Sequence, residues 1–178
     1  MLIKFKKIKP KIGKNVFIAK GAKVIGNVSI GDDSSVWFNC VLRGDVNFIK
    51  IGKRTNIQDL STIHVWHKEF NEDGSIKGNG FPTIIGDDVT IGHNCVIHAC
   101  VIKNRVLVGM NSVVMDDALI DDDSIVGAGA VVTKGKKFPP RSLILGNPAK
   151  LVRTLKEEEV EFLKESAKNY VSFKNDFL

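Results

Sequence analysis

The sequence repeats an aliphatic residue every six positions, and this period limits the possible folds more than any other feature. The repeat begins at Ile12, slips by three residues after Leu42, drops one residue after Ile97, and continues as far as Val132. Neither the helical spacing of 3.6 residues nor simple strand alternation produces a period of six. The period instead predicts a triangular coil, in which each hexad is a short strand with a corner and three hexads complete one turn.

Two positions of each hexad have the composition of inward-facing sites. The first position is aliphatic throughout, and the fifth is mostly small, as in Ala22, Ser61 and Ser112. Parallel strands stacked about 4.8 Å apart would bury both positions, and the repeats amount to about six coils. Cys40 and Cys95 occupy the fifth position, so we interpret them as core residues rather than metal ligands.

Two segments depart from the repeat. Residues 65–83 are polar and rich in glycine, which predicts a loop extruded from a corner of the coil. From about Lys156 the apolar spacing becomes helical, and glutamates occupy the first turn. We therefore predict a mainly β fold with a β-helix domain over residues 1–150 and a C-terminal α-helix over residues 151–178, packed on the coil.

The composition excludes several classes of function. The net charge of +6 comes from scattered lysines, with no basic stripe interleaved with aromatic residues, so we expect no nucleic-acid partner. No apolar run approaches the roughly 20 residues that span a bilayer, and none of signal-peptide length follows the basic start of the chain. Three cysteines without close spacing argue against a disulfide framework. We expect a cytoplasmic protein with no membrane role.

Three of the four histidines fall at informative positions in the hexads. His64 and His98 both hold the second position, and the register makes them outward-facing neighbours on adjacent coils, close enough to share one metal ion. His93 lies on the preceding face and points away from them. A threefold axis would bring His93 of one subunit to the pair of another, which predicts a homotrimer with an interfacial site. Alternatively, the outward histidines merely pack at an interface.

The order of short motifs adds a resemblance to a known family. The segments 43–45 (Arg-Gly-Asp), 56–59 (Asn-Ile-Gln-Asp), 63–64 (Ile-His), 92–93 (Gly-His) and 97–98 (Ile-His) resemble the gamma-class carbonic anhydrase pattern in the same order. The likeness covers roughly residues 10–155. It implies a left-handed β-helix of the hexapeptide-repeat type and a lyase that reversibly hydrates CO2 to bicarbonate.

The resemblance also implies roles for individual residues. His64, His93 and His98 would bind Zn²⁺, with Fe²⁺ or Co²⁺ as other possibilities, and leave a coordination position open for water. Gln58 and Asn56 would orient metal-bound hydroxide or the substrate. The catalytic set would further include Arg43, and the subunit interface and pocket wall would be built by Arg43, Asp45 and Asp59.

Two points stay open in the sequence. Val46 stands where active members of the family carry an acid, so the proton route is not assigned. The candidate relays in the 65–83 loop are His67, Glu69, Glu72 and Asp73. As for function, hexapeptide acyltransferases that use acyl-CoA share the coil, the trimer and an ending similar to residues 146–150, and a catalytically weak metal-binding trimer is a further alternative.

Overall fold

Short parallel strands, three to a coil, form the body of the chain in the computed structural model, which describes residues 1–178. The elements are β1 (Leu2–Ile3), β2 (Lys11–Ile12), β3 (Phe17–Ile18), β4 (Lys23–Ile30), β5 (Ser35–Val36), β6 (Val41–Ile51), β7 (Asn56–Ile57), β8 (Thr62–His64), β9 (Glu69–Phe70), β10 (Ile76–Gly78), β11 (Thr83–Ile85), β12 (Thr90–Ile91), β13 (Val96–His98), β14 (Val101–Ile102), β15 (Leu107–Val108), β16 (Val113–Val114), β17 (Leu119–Ile120), β18 (Ile125–Val126), β19 (Val131–Val132), β20 (Lys137–Phe138), β21 (Ser142–Gly146), β22 (Ala149–Thr154) and α1 (Glu157–Asn175). This architecture confirms the predicted β-helix with a C-terminal helix.

The strands stack into three faces. The histidine face consists of β1, the first halves of β4 and β6, and then β8, β13, β16 and β19. The third face consists of β2, the second halves of β4 and β6, β11, β14, β17 and β20. The helix face consists of β3, β5, β7, β12, β15, β18 and β21. Because β4 and β6 continue round a corner, the histidine face and the third face form one sheet.

Side chains at the first and fifth hexad positions fill the interior, as the period predicted. Leu42, Ile63 and Ile97 are completely buried. The small hydroxyl side chains at the fifth position are satisfied by the adjacent coil, since Ser61 Oγ donates to Gly92 O at 2.9 Å and Ser112 Oγ to Gly127 O at 2.9 Å. The core is therefore apolar at the middle of each face and hydrogen-bonded near the corners.

All three cysteines are core residues. Cys40, Cys95 and Cys100 are buried, and burial raises the pKa of Cys40 to about 11. Burial also raises the pKa of Cys95 and of Cys100 above the ordinary value of a thiol. A metal ligand must be the thiolate, so these side chains are suited to packing and not to coordination.

The helix packs against the helix face and covers part of it. Val160 and Leu163 pack with Leu107 and Ile125 on the outside of that face. The predicted boundary at residue 150 falls within β22, which pairs antiparallel with β21. The helix begins at Glu157, six residues after the predicted start at residue 151. No helix of the structure has the length and apolar character needed to cross a membrane.

Residues 65–82 leave the coil between β8 and β11. They carry the small antiparallel hairpin of β9 and β10, and the Trp66 N–H donates to Phe81 O at 2.8 Å where the two ends of the loop meet. Thr83, which the sequence placed at the end of the loop, already belongs to β11. The loop therefore leaves and rejoins the coil next to His64.

Candidate metal centre

His64 and His98 stand side by side on the histidine face. β8 pairs with β13 in parallel, and the register places His98 opposite His64. Both residues end their strands at the outward second position of a hexad, so both rings project from the same side of the coil. His64 Nδ1 lies 3.2 Å from His98 Nε2.

A carboxylate holds the other nitrogen of each ring. Asp45 Oδ1 lies 3.0 Å from His64 Nε2, and Asp116 Oδ1 lies 2.5 Å from His98 Nδ1. An ionised carboxylate only accepts hydrogen bonds, so each of these ring nitrogens carries the hydrogen. The two nitrogens that face each other then both present lone pairs. Two lone pairs at this distance repel each other unless a cation or an additional proton is shared between them.

The pair fits a divalent metal ion. Two nitrogen ligands of a tetrahedral Zn²⁺ lie about 3.3 Å apart, given Zn–N distances of about 2.0–2.1 Å, and the observed separation is 3.2 Å. Burial lowers the pKa of His64, and the charges of Arg43 and His98 lower it further, against the raising effect of Asp45. The neutral imidazole that results is the form that binds a metal.

Arg43 and Asp45 form an ion pair within one chain, beside His64. Arg43 Nη1 donates to Asp45 Oδ2, and the Val46 N–H donates to Asp45 Oδ1 at 3.0 Å. Burial would raise the pKa of Asp45, but the hydrogen bonds from Arg43 and His64 outweigh it and hold that pKa below its ordinary value. Asp45 therefore stays ionised and keeps accepting from His64. Val46 is exposed and offers no acid at this position.

His93 lies in the turn between β12 and β13, at the corner between the helix face and the histidine face. Its Nδ1 is 2.9 Å from Asp59 Oδ2, and Asp59 Oδ1 accepts the Phe38 N–H at 3.1 Å. The side chain of His93 is 46% exposed. With Nδ1 held by Asp59, the nitrogen available to a ligand is Nε2.

Gln58 shares a groove with His93. The groove, of about 290 Å³, lies between the helix face and α1, and its apolar wall includes Leu107 and Met110. Asn56 is only 1% exposed. Its Nδ2 donates to Thr90 Oγ1 at 2.9 Å, and its Oδ1 accepts from Gln58 Nε2 at 3.2 Å. Gln58 thus reaches the groove, while Asn56 is a buried support that holds it.

The residues identified from the sequence therefore form two groups. The first group contains His64, His98, Asp45 and Arg43, and the second contains His93, Asp59, Gln58 and Asn56. No three histidine, cysteine or acidic side chains of this single chain converge closely enough to hold a metal ion. The shared site between subunits stays a prediction.

Sequence reasoning missed Asp116. It follows His98 by 18 residues, whereas Ile97 pairs with Val114, 17 residues later, on the next coil. Asp116 therefore lies one residue beyond the position opposite His98, in the turn after β16. A search for acids within one residue of the position opposite each histidine on the next coil would have found it.

The candidate proton relays differ in their surroundings. His67 stacks on Trp66 with ring centroids 5.1 Å apart, and the Trp66 and His98 rings are nearly perpendicular with centroids 6.2 Å apart. Asp73 instead accepts hydrogen bonds from Ser75 in the hairpin turn. Glu69 and Glu72 are exposed. Only His67 is connected to the histidine pair by an aromatic contact, and its role stays a prediction.

The coil of six-residue repeats places the protein in the class of hexapeptide-repeat β-helix proteins, and carboxylates hold its outward histidines. A family model described as dynactin subunit 5 matches residues 7–177. A protein of Methanocaldococcus jannaschii named probable carbonic anhydrase is 51% identical over 90% of this chain and 93% of its own length. The chain belongs to the gamma carbonic anhydrase-like family of hexapeptide-repeat proteins.

Two further similarities bear on this assignment. Gamma carbonic anhydrase 2, mitochondrial, of Arabidopsis thaliana is 43% identical over 92% of this chain, which spans 56% of that protein's length. The crystal structure of a hexapeptide transferase family protein from Anaplasma phagocytophilum matches with a TM-score of 0.90 at 39% identity, covering 100% of this chain and 98% of that one. The fold is thus shared by relatives named for two different chemistries.

Proposed function

We propose that this chain is a metal-dependent carbonic anhydrase that interconverts CO2 and bicarbonate at a site shared by the subunits of a homotrimer. The observation that carries the proposal is the pair of facing lone-pair nitrogens of His64 and His98, 3.2 Å apart. Relatives named carbonic anhydrase at 43% and 51% identity support the reaction. The proposed setting is the cytoplasm, with CO2 and bicarbonate as the small-molecule partners.

The metal would be held by His64 and His98 of one subunit and by His93 of a neighbour. Zn²⁺ suits three imidazoles with an open position, and Fe²⁺ or Co²⁺ accept similar ligands. When bound, such an ion supplies a Lewis acid that makes hydroxide available near neutral pH, a chemistry for which carbonic anhydrase is the standard example. The exposed Nε2 of His93 gives the neighbouring subunit a ligand to contribute.

The remaining site residues would handle the substrate. Gln58 presents an amide that can donate or accept a hydrogen bond, and Asn56 holds that amide in place. Arg43 is partly exposed beside the histidine pair, where its charge would attract bicarbonate. Leu107 and Met110 give the groove an apolar wall, which suits a CO2 molecule without a dipole. Asp45 and Asp59 would keep His64 and His93 oriented.

Metal content and CO2 hydration, measured together, test this function. Protein purified without an affinity tag is analysed for metal, and hydration is followed by stopped flow for the wild type and for His64→Ala, His93→Ala and His98→Ala. We expect each of these variants to lose both the metal and the hydration activity. His67→Ala is the matched control, because it removes the fourth imidazole and should retain the metal.

Three outcomes would discriminate between the alternatives. A wild type without metal, or one whose metal content is unaffected by all three substitutions, would contradict the proposal. Metal binding that depends on the three histidines without any CO2 hydration would instead support the catalytically weak metal-binding trimer.

A hexapeptide acyltransferase is the second candidate, because the Anaplasma protein of similar fold is described as a transferase. His93 and Asp59 form an imidazole–carboxylate pair next to the groove, as a general base requires. Saturable binding of acetyl-CoA that persists in His64→Ala and His98→Ala would favour this function. We expect no such binding.

A further inference from the structure

We propose that Asp116 is a positioning residue for the metal, which fixes the tautomer and the orientation of His98. The inference rests on the proposed metal-dependent function. Asp116 Oδ1 lies 2.5 Å from His98 Nδ1, and the carboxylate is 14% exposed. The contact is made between adjacent coils, so it ties the last residue of β13 to the turn that follows β16.

The contact determines which nitrogen His98 can offer. A neutral imidazole carries its hydrogen on one ring nitrogen and a lone pair on the other. Asp116 can only accept, so the hydrogen lies on Nδ1 and the lone pair on Nε2. That nitrogen is the one 3.2 Å from His64 Nδ1. Without the carboxylate, the other tautomer would place a hydrogen where the metal is to bind.

Backbone hydrogen bonds to the neighbouring coils hold the turn that carries Asp116. The backbone carbonyl of Asp116 accepts the Gly135 N–H at 2.8 Å, and the Asp117 N–H donates to Ala99 O at 2.9 Å. These ladder bonds fix the backbone on both sides of the side chain. A carboxylate that accepts a hydrogen bond from the other ring nitrogen of a metal-bound histidine typically increases the affinity for the metal by about 10–100-fold.

Asp117 provides a matched control. It is the next residue, it carries the same charge, and its side chain is exposed. Its φ of 56° lies in the left-handed region, which asparagine adopts readily. Asp117→Asn therefore removes the same charge from the same turn without altering the contact to His98 or straining the backbone.

The experiment measures the affinity of the metal-free protein for Zn²⁺ by competition with a chromophoric chelator. Asp116→Ala removes the acceptor, and we expect it to weaken Zn²⁺ binding by about 10–100-fold. Asp116→Asn should lose less of the affinity for Zn²⁺, because the amide Oδ1 can still accept a hydrogen bond from His98 Nδ1. Asp117→Asn should bind Zn²⁺ as the wild type does.

Thermal unfolding separates positioning from general stability. In excess EDTA, we expect Asp116→Ala to unfold close to the wild-type temperature, while the stabilisation that added Zn²⁺ confers is reduced. A merely structural role would lower the unfolding temperature in EDTA and leave the stabilisation by Zn²⁺ unchanged. If Asp116→Ala does not fold, the comparison of Asp116→Asn with Asp117→Asn decides.

Two results would overturn this inference and leave the proposed function standing. One is wild-type Zn²⁺ affinity in both Asp116 variants while His98→Ala still loses the metal. The other is an equal loss in Asp117→Asn, which would indicate a general effect of charge. A wild type that binds none of Zn²⁺, Fe²⁺ and Co²⁺ would overturn the proposed function, and this inference with it.

Discussion

At the scale of single residues, the chemistry of the site depends on which ring nitrogen of each histidine carries hydrogen. Three carboxylates make that choice, Asp45 for His64, Asp59 for His93 and Asp116 for His98. Each contact leaves the opposite nitrogen with a lone pair. In the proposed site, these contacts would orient the three imidazoles as ligands before a metal binds.

Arg43 should affect catalysis without affecting metal content. Its guanidinium contacts Asp45 and no histidine nitrogen. A charge-assisted hydrogen bond contributes about 1.5–3 kcal/mol, so we expect Arg43→Met to lower kcat/KM for CO2 hydration by about 10–100-fold. Stopped-flow kinetics on protein of known metal content measure this.

The control for Arg43 lies on the same strand. Lys50→Met removes a positive charge from an exposed position of β6, and we expect its kinetics to match those of the wild type. Loss of the metal in Arg43→Met, or an unchanged kcat/KM, would show that Arg43 does not have the role we assign to it.

The hexad register predicted that His64 and His98 lie next to each other, because strands that stack in register bring equal hexad positions together. It did not predict Asp116. The residue dropped after Ile97 changes the offset between the two coils from 17 residues at β13 and β16 to 18 at β14 and β17, so the hexad register places Met115, and not Asp116, opposite His98. The burial of Asn56 was also missed. The sequence indicates a helix but not which face of the coil the helix covers, and α1 lies over the strand that carries Asn56.

At the scale of elements, the corners of the coil explain much of the polar sequence. The fourth hexad position repeatedly adopts a positive φ, as in Asn15, Asp33, Asn94 and Asp123. A left-handed conformation costs an ordinary L-residue about 1–2 kcal/mol, and asparagine and aspartate tolerate it best. The backbone conformation therefore explains why Asn and Asp occur at these positions. It does not explain the acids that contact histidines.

The start of α1 provides a prediction on pH. The Arg153 guanidinium, and then the Lys156 N–H, lower the pKa of Glu159 to about 2. The ordinary pKa of a glutamate is 4.5. Ionised Glu159 therefore stabilises the fold above that pH, and this stabilisation is lost as the pH falls towards about 2. We expect Glu159→Gln to unfold at a lower temperature than the wild type at neutral pH, with the difference vanishing in acid.

Glu158→Gln is the matched control for Glu159. It lies in the same turn and makes only a long contact, 3.6 Å, to Lys156 Nζ. Thermal unfolding of both variants is followed from neutral pH to about pH 2. Equal unfolding temperatures for the two variants at every pH would contradict the assigned role of Glu159 at the helix start.

At the scale of the whole molecule, the two groups of site residues explain why a subunit would need its neighbours. The histidine pair projects from the histidine face, whereas His93 lies at the corner towards the helix face. A closed ring of three subunits can place the same two surfaces against each other three times. In such an assembly, the metal is both the catalytic group and a link between subunits.

Complementation between two inactive variants tests this central claim most directly. His93→Ala subunits retain the histidine pair, and His98→Ala subunits retain His93. When the two are unfolded, mixed and refolded, a trimer that contains both kinds should have one complete site, where a His93→Ala subunit meets the His93 of its neighbour.

We therefore expect Zn²⁺ and CO2 hydration to be nearly absent from each variant alone and to return in the mixture, with about one ion in each mixed trimer. The same recovery should not occur when His64→Ala is mixed with His98→Ala, because both substitutions damage the same half of the site. A mixture of His93→Ala and His98→Ala that regains neither the metal nor the activity, although mixed trimers form, would contradict a site shared between subunits.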